Sequence, residues 1–424
     1  MSASDAAPPS AGTHHGIPTW VVVVALSMLL GLQPVTTDLY LPALPQMQRA
    51  LGLTPSLAQW TLSVLILSFG LTQLVWGPIA DRIGRRPVLR TCLSLYVLAS
   101  VAATLAQDFS IMIVARMAQG ATLSGVVMCG RAMVRDLYEP QDGARMMAHG
   151  MSGLGVIALI GPILGGLMAT HGGWRATMAL LAVSGAIVLA FIWLRLPETL
   201  PIARRQGSLA LSTLVRNWAG IGRHPLFRSY ALLSASTYGG LFVFLSISSF
   251  VFIDVLGISR TLYGMVMAST SLAYLMGTFY CRRTLSRRGL QGTVRRAGWY
   301  PLAGGLYGAL ISLVQVSTDW SVPAWALLPG LWLYAFGHGI HQPCGQTGVV
   351  AAFPHQAGAA SALSGLVLSV VAFAVGALVS GWTALPGWAG TIHPLTLGMA
   401  LGGAVTARVA LHRVQRHGLI PRTA

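Results

Sequence analysis

The chain contains no lysine at all: each of its 27 basic residues is an arginine. Acids are scarce too, ten in 424 residues. Charged residues make up 9% of the chain, against about 25% in soluble proteins, and that shortfall argues against a water-soluble fold. The four cysteines, Cys92, Cys129, Cys281 and Cys344, have no paired extracellular spacing. They exclude a disulfide framework and are expected to be free, buried thiols. No Walker-type phosphate loop occurs, which excludes direct ATP drive. No nucleophile constellation and no soluble domain appear, so the sequence does not read as an enzyme.

What the chain has is apolar length. It is 54% hydrophobic, with a mean hydropathy of +0.67. A membrane helix needs roughly 20 mostly apolar residues. Twelve such runs can be placed, at 19–39, 57–79, 88–106, 111–130, 146–170, 174–194, 229–253, 261–281, 297–317, 323–345, 359–382 and 391–411. The expected fold is an all-α polytopic membrane protein. Its organisation is a tail at 1–17, a six-helix bundle at 18–195, a polar loop at 196–228, a second six-helix bundle at 229–411 and a tail at 412–424. Residues 1–17 carry no basic n-region, and no clear cleavage site follows, so the first run reads as a retained helix. In the loop, Leu211, Leu214, Val215, Trp218 and Ile221 fall near one helical face, flanked by Arg216 and Arg223. That pattern predicts an amphipathic helix on the membrane surface.

The net charge of +17 does not read as nucleic-acid binding, because the arginines follow topology. With both termini on one side, twenty-two fall on that side, and only Arg49, Arg175 and Arg260 fall opposite. This is the positive-inside bias, and it predicts cytoplasmic termini. The partner of nearly all this charge is the lipid surface.

Few polar residues lie inside the runs, and those few are the candidates for function. Asp38 lies late in the first run, where an acid defaults to facing a cavity, pairing or binding protons. The alternative reading is a helix-end aspartate exposed to the periplasm. Arg116, in the fourth run, is the natural counter-charge, and Gln119 would share its face. The run Gly77-Pro78-Ile79-Ala80-Asp81-Arg82-Ile83-Gly84-Arg85-Arg86-Pro87 is a tight basic turn between two apolar runs. Gly77 there would permit close helix approach, and Asp81 would sit at a helix N-terminus. Arg82, Arg85 and Arg86 would latch onto Asp136, Glu139 or Asp142. Gly161, Pro162 and Gly165 would bend the fifth run and pack it closely. The tenth run ends in His338-Gly339-Ile340-His341-Gln342-Pro343-Cys344-Gly345-Gln346. A metal site would need an acid or further ligands there, so polar cavity lining is the expectation. Gln59, Gln73, Tyr238, Ser246, Ser248, Tyr274 and Gln315 are further in-span polar residues.

These motifs resemble the major facilitator superfamily, and within it the bicyclomycin/chloramphenicol-resistance (Bcr/CflA) drug:proton antiporters. The segment 77–87 is similar to motif A. Thr37-Asp38-Leu39-Tyr40-Leu41-Pro42-Ala43-Leu44-Pro45 resembles the group's first-helix signature, and Gly161-Pro162-Ile163-Leu164-Gly165-Gly166 resembles motif C. The resemblance implies two six-helix bundles with a pathway between them. It implies export of small amphipathic compounds in exchange for protons, with no cofactor beyond the proton gradient. Asp38 and Arg116 would couple protons. Gly77, Asp81, Arg82, Arg85 and Arg86 would form a cytoplasmic gate. Tyr40, Gln59, Gln119, Tyr238, Gln315 and His338 are the expected substrate-cavity residues. A monomer in a bacterial inner membrane is expected. A proton-coupled importer of a small nutrient is the alternative, and Asp38 alone does not separate the two.

Overall fold

The computed structural model describes residues 17–202, 205, 211–318 and 320–419. Residues 1–16 and 420–424 of the two expected tails, together with Arg204 and Asp319, lie outside these. Every regular element among the described residues is helical. The first bundle consists of α1 (Thr19–Asp38), the short α2 (Leu44–Ala50), α3 (Pro55–Ile83), α4 (Arg85–Leu105), α5 (Phe109–Leu137), α6 (Pro140–His171) and α7 (Gly173–Arg195). A connecting helix α8 (Leu211–Arg223) leads to α9 (Pro225–Ser249), α10 (Arg260–Ala297), α11 (Trp299–Thr318), α12 (Leu328–Ala351), α13 (Ala357–Thr383) and α14 (His393–Arg408). Leaving aside α2 and α8, these are twelve long helices, six in each bundle.

Local chemistry sets the starts of several helices. Thr54 caps α3 by accepting from the Leu57 amide at 3.2 Å, Asp108 caps α5 through Ile111 at 3.0 Å, and Ser259 caps α10 through Leu262 at 3.2 Å. Each cap satisfies an amide that the helix itself leaves open. Ten segments are long and apolar enough to cross a membrane. One of them, Arg260–Thr318, holds both α10 and α11, and α12 is not among the ten. The polar run from His338 to Gln346 lowers the hydropathy of α12. At 38 residues α10 is longer than one crossing needs. It turns at Gly289, whose φ of 66° suits glycine alone, so its last two turns lie across the basic end.

Small residues set how closely helices approach. Gly165 of α6 lies against the Leu39 carbonyl, Gly166 against the Arg260 carbonyl, and Gly264 of α10 against the Pro162 carbonyl. A Cβ at any of these would strike backbone, so α6 meets both the end of α1 and the facing helix α10 only through glycine. On the other flank α3 packs on α13, with Gly70 against Ser369 and Gly365 against Gln73. Two glycine expectations need correction. Among the described residues, an added Cβ at Gly77 or Gly161 would meet nothing within 4 Å, so neither mediates a close approach there. Pro162 lies inside α6, which continues through it as one helix from Pro140 to His171.

The outer surface is apolar. Leu98, Val114, Phe279, Leu313 and Val316 are each more than three-fifths exposed, an arrangement that lipid tails would cover and water would not favour. The interhelical loop helix α8 packs Ile221 inward and rests on α9 and α13, while Val215 stays exposed. The two ends of the molecule differ. One carries the arginine-rich connections. At the opposite end the two bundles meet through an Arg49–Asp254 ion pair at 2.9 Å, a Ser56–Ser380 hydroxyl contact and a Thr170–Thr261 contact at 3.1 Å.

Candidate functional site

Asp38 is the last residue of α1 but not the end of its apolar segment, which runs on through a one-turn Leu41–Ala43 helix to Ala50. The helix therefore breaks within the protein, not at its surface. A break leaves carbonyls of the last turn unpaired. Arg116 answers it. Its Nη2 donates to the Thr36 carbonyl at 3.1 Å, its Nε to the Thr61 carbonyl at 3.3 Å and its Nη1 to Gln119 Oε1 at 2.8 Å. Its guanidinium lies 4.1 Å from the centroid of the Tyr40 ring. Arg116 has no solvent exposure, yet no carboxylate pairs with it among the described ion pairs. The C-terminal dipole of α1 and three acceptors take the place of a counter-ion.

This corrects the expected pairing of Arg116 with Asp38. The Asp38 carboxylate instead accepts from the Thr37 hydroxyl at 2.7 Å. Arg116 is joined to it indirectly, through the carbonyl two residues earlier. The same geometry corrects two cavity assignments. Gln119 is fully buried and donates to Ser100 Oγ at 2.8 Å, while Tyr40 is fully buried with its hydroxyl 3.3 Å from Thr61 Oγ1. Both residues hold Arg116 and neither faces a cavity.

Across the bundle boundary, α9, which carries Tyr238, touches the Leu41–Ala43 turn that follows Asp38. Tyr238 belongs to an aromatic group on the second bundle. The His338 ring is 6.0 Å from Tyr238 and 5.4 Å from Tyr274 between centroids, and Tyr238 is 6.2 Å from Phe242. Thr237 Oγ1 lies 3.3 Å from His338 Nδ1 and fixes the ring. Tyr238 and Tyr274 are only partly buried. His341 turns away from this group, donating from Nε2 toward the Val294 carbonyl at 3.3 Å. Cys344 faces Cys281 with 3.5 Å between sulfurs, and all four cysteines are free and buried. The structure thus brings Asp38, Tyr238 and His338 to one region between the bundles. It does not bring Gln59 or Gln315 there. Gln59 lies one turn into α3 at the end opposite the arginines. Gln315 lies one turn beyond the Ser312–His393 contact, near the outer end of α11.

At the basic end the loop between α3 and α4 is ordered by carboxylates. Gly84 has φ 106° and ψ 163°, a region essentially confined to glycine. A Cβ there would collide with the Glu198 carboxylate. Glu198 accepts from the amides of Arg85 at 2.9 Å and Arg86 at 3.3 Å, at the N-terminus of α4. It is the acid that complements that helix dipole. The role expected of Asp81 is corrected accordingly: Asp81 lies in the last turn of α3 and pairs with Arg85 at 2.6 Å. Arg85 also holds Asp136 at 2.9 Å. Arg86 donates to the Trp193 carbonyl at 3.0 Å, and Arg82 is exposed with no ion pair among the described residues. Asp142 pairs with Arg145 instead of the loop. All these partners belong to the first bundle or its exit, so the loop ties α3, α4, α5 and α7 to one another.

A family model described as Major Facilitator Superfamily matches residues 26–377. The chain belongs to the Major Facilitator Superfamily. That is a family of transporters, not of enzymes, and its members are multi-pass membrane proteins. The chloramphenicol resistance protein of Pseudomonas aeruginosa is 28% identical over 401 residues, covering 93% of this chain and 92% of that one. Multidrug resistance protein D of Escherichia coli is 29% identical over 347 residues, covering 81% and 84%. These relatives agree with the subfamily resemblance carried by the motifs. The fold matches the xylose transporter XylE from E. coli with a TM-score of 0.74 at 11% identity, covering 96% of this chain and 99% of that one.

Sequence reasoning missed Glu198. Its signal was available: it is an acid placed directly after the sixth apolar run, on the side that collects the arginines. Two of the three Arg116 acceptors, at Thr36 and Thr61, were invisible because they are backbone carbonyls, which carry no residue identity; the third, Gln119, was expected on the same face.

Proposed function

We propose that this superfamily member exports small amphipathic compounds in exchange for protons across a bacterial inner membrane. In this reading the arginine-rich end and both termini face the cytoplasm, a single chain is the working unit, and the proton gradient replaces any cofactor. The names of the relatives support drug export, and the arginine distribution supports the orientation. One observation carries the coupling: the Asp38 carboxylate stands at a break in α1, anchored by Thr37 and held in place by Arg116 through Thr36.

Within this reading Asp38 exchanges the transported proton and Arg116 sets its position. Arginine stays charged at any accessible pH, so its field on the end of α1 is permanent. A change in α1 that moves Asp38 relative to Arg116 alters how readily the carboxylate holds its proton. The substrate's apolar body rests on the partly exposed rings of Tyr238 and Tyr274 beside His338. Asp38→Asn is expected to abolish proton-driven efflux in vesicles while leaving substrate binding within about threefold, because asparagine is isosteric with protonated aspartate and a tenfold change needs about 1.4 kcal/mol. Full pH-dependent efflux by this variant would sink the assignment.

A further inference from the structure

The end opposite the arginines holds a cavity of about 120 Å³ between the bundles. Pro55 and Gln59 of α3 line it from the first bundle. The second bundle supplies Phe250, Asp254 and, from the α13–α14 connection, Trp388, Ala389 and Thr391. Gln59 is 1% exposed, and neither its amide nitrogen nor its amide oxygen has a partner among the described residues. A buried amide with nothing to bond is unfavourable, so a polar group of matching shape would be welcome there. The remaining wall is largely apolar and includes the Phe250 and Trp388 rings. Its one acid, Asp254, is already neutralised by Arg49 at 2.9 Å. The mouth is open, since Ala389 and Gly390 are exposed. The volume approaches that of a cavity of about 150 Å³ that takes up benzene.

We infer that this cavity is a second ligand subsite, separate from the Tyr238–His338 region. It takes a small uncharged molecule that carries an amide-type donor and acceptor on a flat apolar body. The amide pairs with Gln59, and the ring lies against Trp388 and Phe250. A ligand there bridges α3 to the second bundle, so it holds that end closed while bound. Naming the subsite the exit side rests on the export reading; binding itself does not.

Benzamide is a suitable probe, with the intact transporter in lipid nanodiscs and binding followed by saturation-transfer NMR and equilibrium dialysis. The wild-type protein is expected to bind it. Gln59→Leu should weaken binding about tenfold, the worth of a charge-free hydrogen-bonded pair in a buried site. Ala389→Trp fills the mouth from an exposed position and should abolish binding with Gln59 intact, which keeps the test decisive if Gln59→Leu does not fold. Leu98→Ala, on the outer apolar surface of α4, should leave benzamide binding unchanged. No binding to wild type would overturn the proposal, as would full binding by both cavity variants or an equal loss in Leu98→Ala. The export reading fails by a different result, proton-driven efflux in Asp38→Asn, so the two are separable.

Discussion

The two bundles share one packing plan and divide the chemistry between them. The first holds a buried arginine and a carboxylate inside its spans, and the acids that order its basic end. The second has only two acids between residues 229 and 411, Asp254 and Asp319, and Asp254 pairs back to Arg49 of the first half. Its interior polar groups include Tyr238, Tyr274, His338 and the Cys281–Cys344 pair, none of which carries a fixed charge. Proton coupling needs an ionisable group with a fixed charge near it, whereas recognition of varied apolar bodies needs adaptable rings. In the proposed reading, placing these in separate bundles lets one change its charge state without rebuilding the other. Variants of the first bundle should therefore change coupling and turnover, and variants of the second should change selectivity.

The largest effect is expected from Arg116→Lys. Lysine keeps the charge but lacks the planar fork that reaches Thr36, Thr61 and Gln119 together. Losing two such charge-assisted bonds removes about 1.5–3 kcal/mol each, so efflux should fall at least about a hundredfold, which is about 2.7 kcal/mol. Measured in vesicles with substrate binding alongside, efflux near the wild-type rate would show that charge alone suffices and would remove the positioning role.

Next come the carboxylates at the basic end. Glu198 serves the amides of Arg85, Arg86, Thr199 and Leu200 at once. Asp81 is half-exposed, and Arg85 keeps Asp136 when Asp81 is gone. Glu198→Gln should thus lower turnover about tenfold and Asp81→Asn only about twofold, following the gap between a charge-assisted cap and a solvated pair. Turnover at saturating substrate decides it; equal losses would mean that the loop acts through its ion pairs and not through the start of α4.

His338→Phe tests the other half of the comparison. Phenylalanine keeps an aromatic surface beside Tyr238 and Tyr274 but loses the contact with Thr237. A neutral hydrogen bond is worth about 1 kcal/mol, so KM should shift about fivefold for some compounds and little for others. The number of protons moved per substrate should stay the same. A change in that number would break the division of labour between the bundles.

The twelve helices were legible because each is an apolar run of membrane length, several of them bounded by arginines or by a capping Thr54, Asp108 or Ser259. The break in α1 was not. Asp38 reads as a helix end because it lies about 27 Å of helix beyond Trp20, yet two short helices that begin with Pro42 and Pro45 continue the span. The Arg85–Asp136 pair could be read from residue type and position. Roles carried by orientation could not. Tyr40 and Gln119 read as cavity residues because they are polar and in spans, but three-dimensional packing turns both toward Arg116. Gly77, Gly161 and Gly165 read as contact points because glycine lets helices approach closely, but of these only Gly165 makes such a contact, beside Gly166 and Gly264.

The smallest effect should come from Arg90→Ala, in the same first bundle as the largest. Arg90 lies one turn into α4, its guanidinium 4.3 Å from the centroid of Trp193 on α7. It forms no ion pair among the described residues. A cation over an aromatic ring near the surface contributes about 0.5–1 kcal/mol. Much of the remaining charge effect is shared with the other arginines of that end, and surface charge is weakened by solvent and salt. Efflux should therefore stay within about twofold of wild type, with thermal stability lowered by less than about 1 kcal/mol. This outcome would separate arginines that set topology from arginines that set geometry. A tenfold loss of efflux would mean that the α4–α7 contact through Trp193 is part of the moving machinery, and the first bundle could no longer be treated as one rigid body.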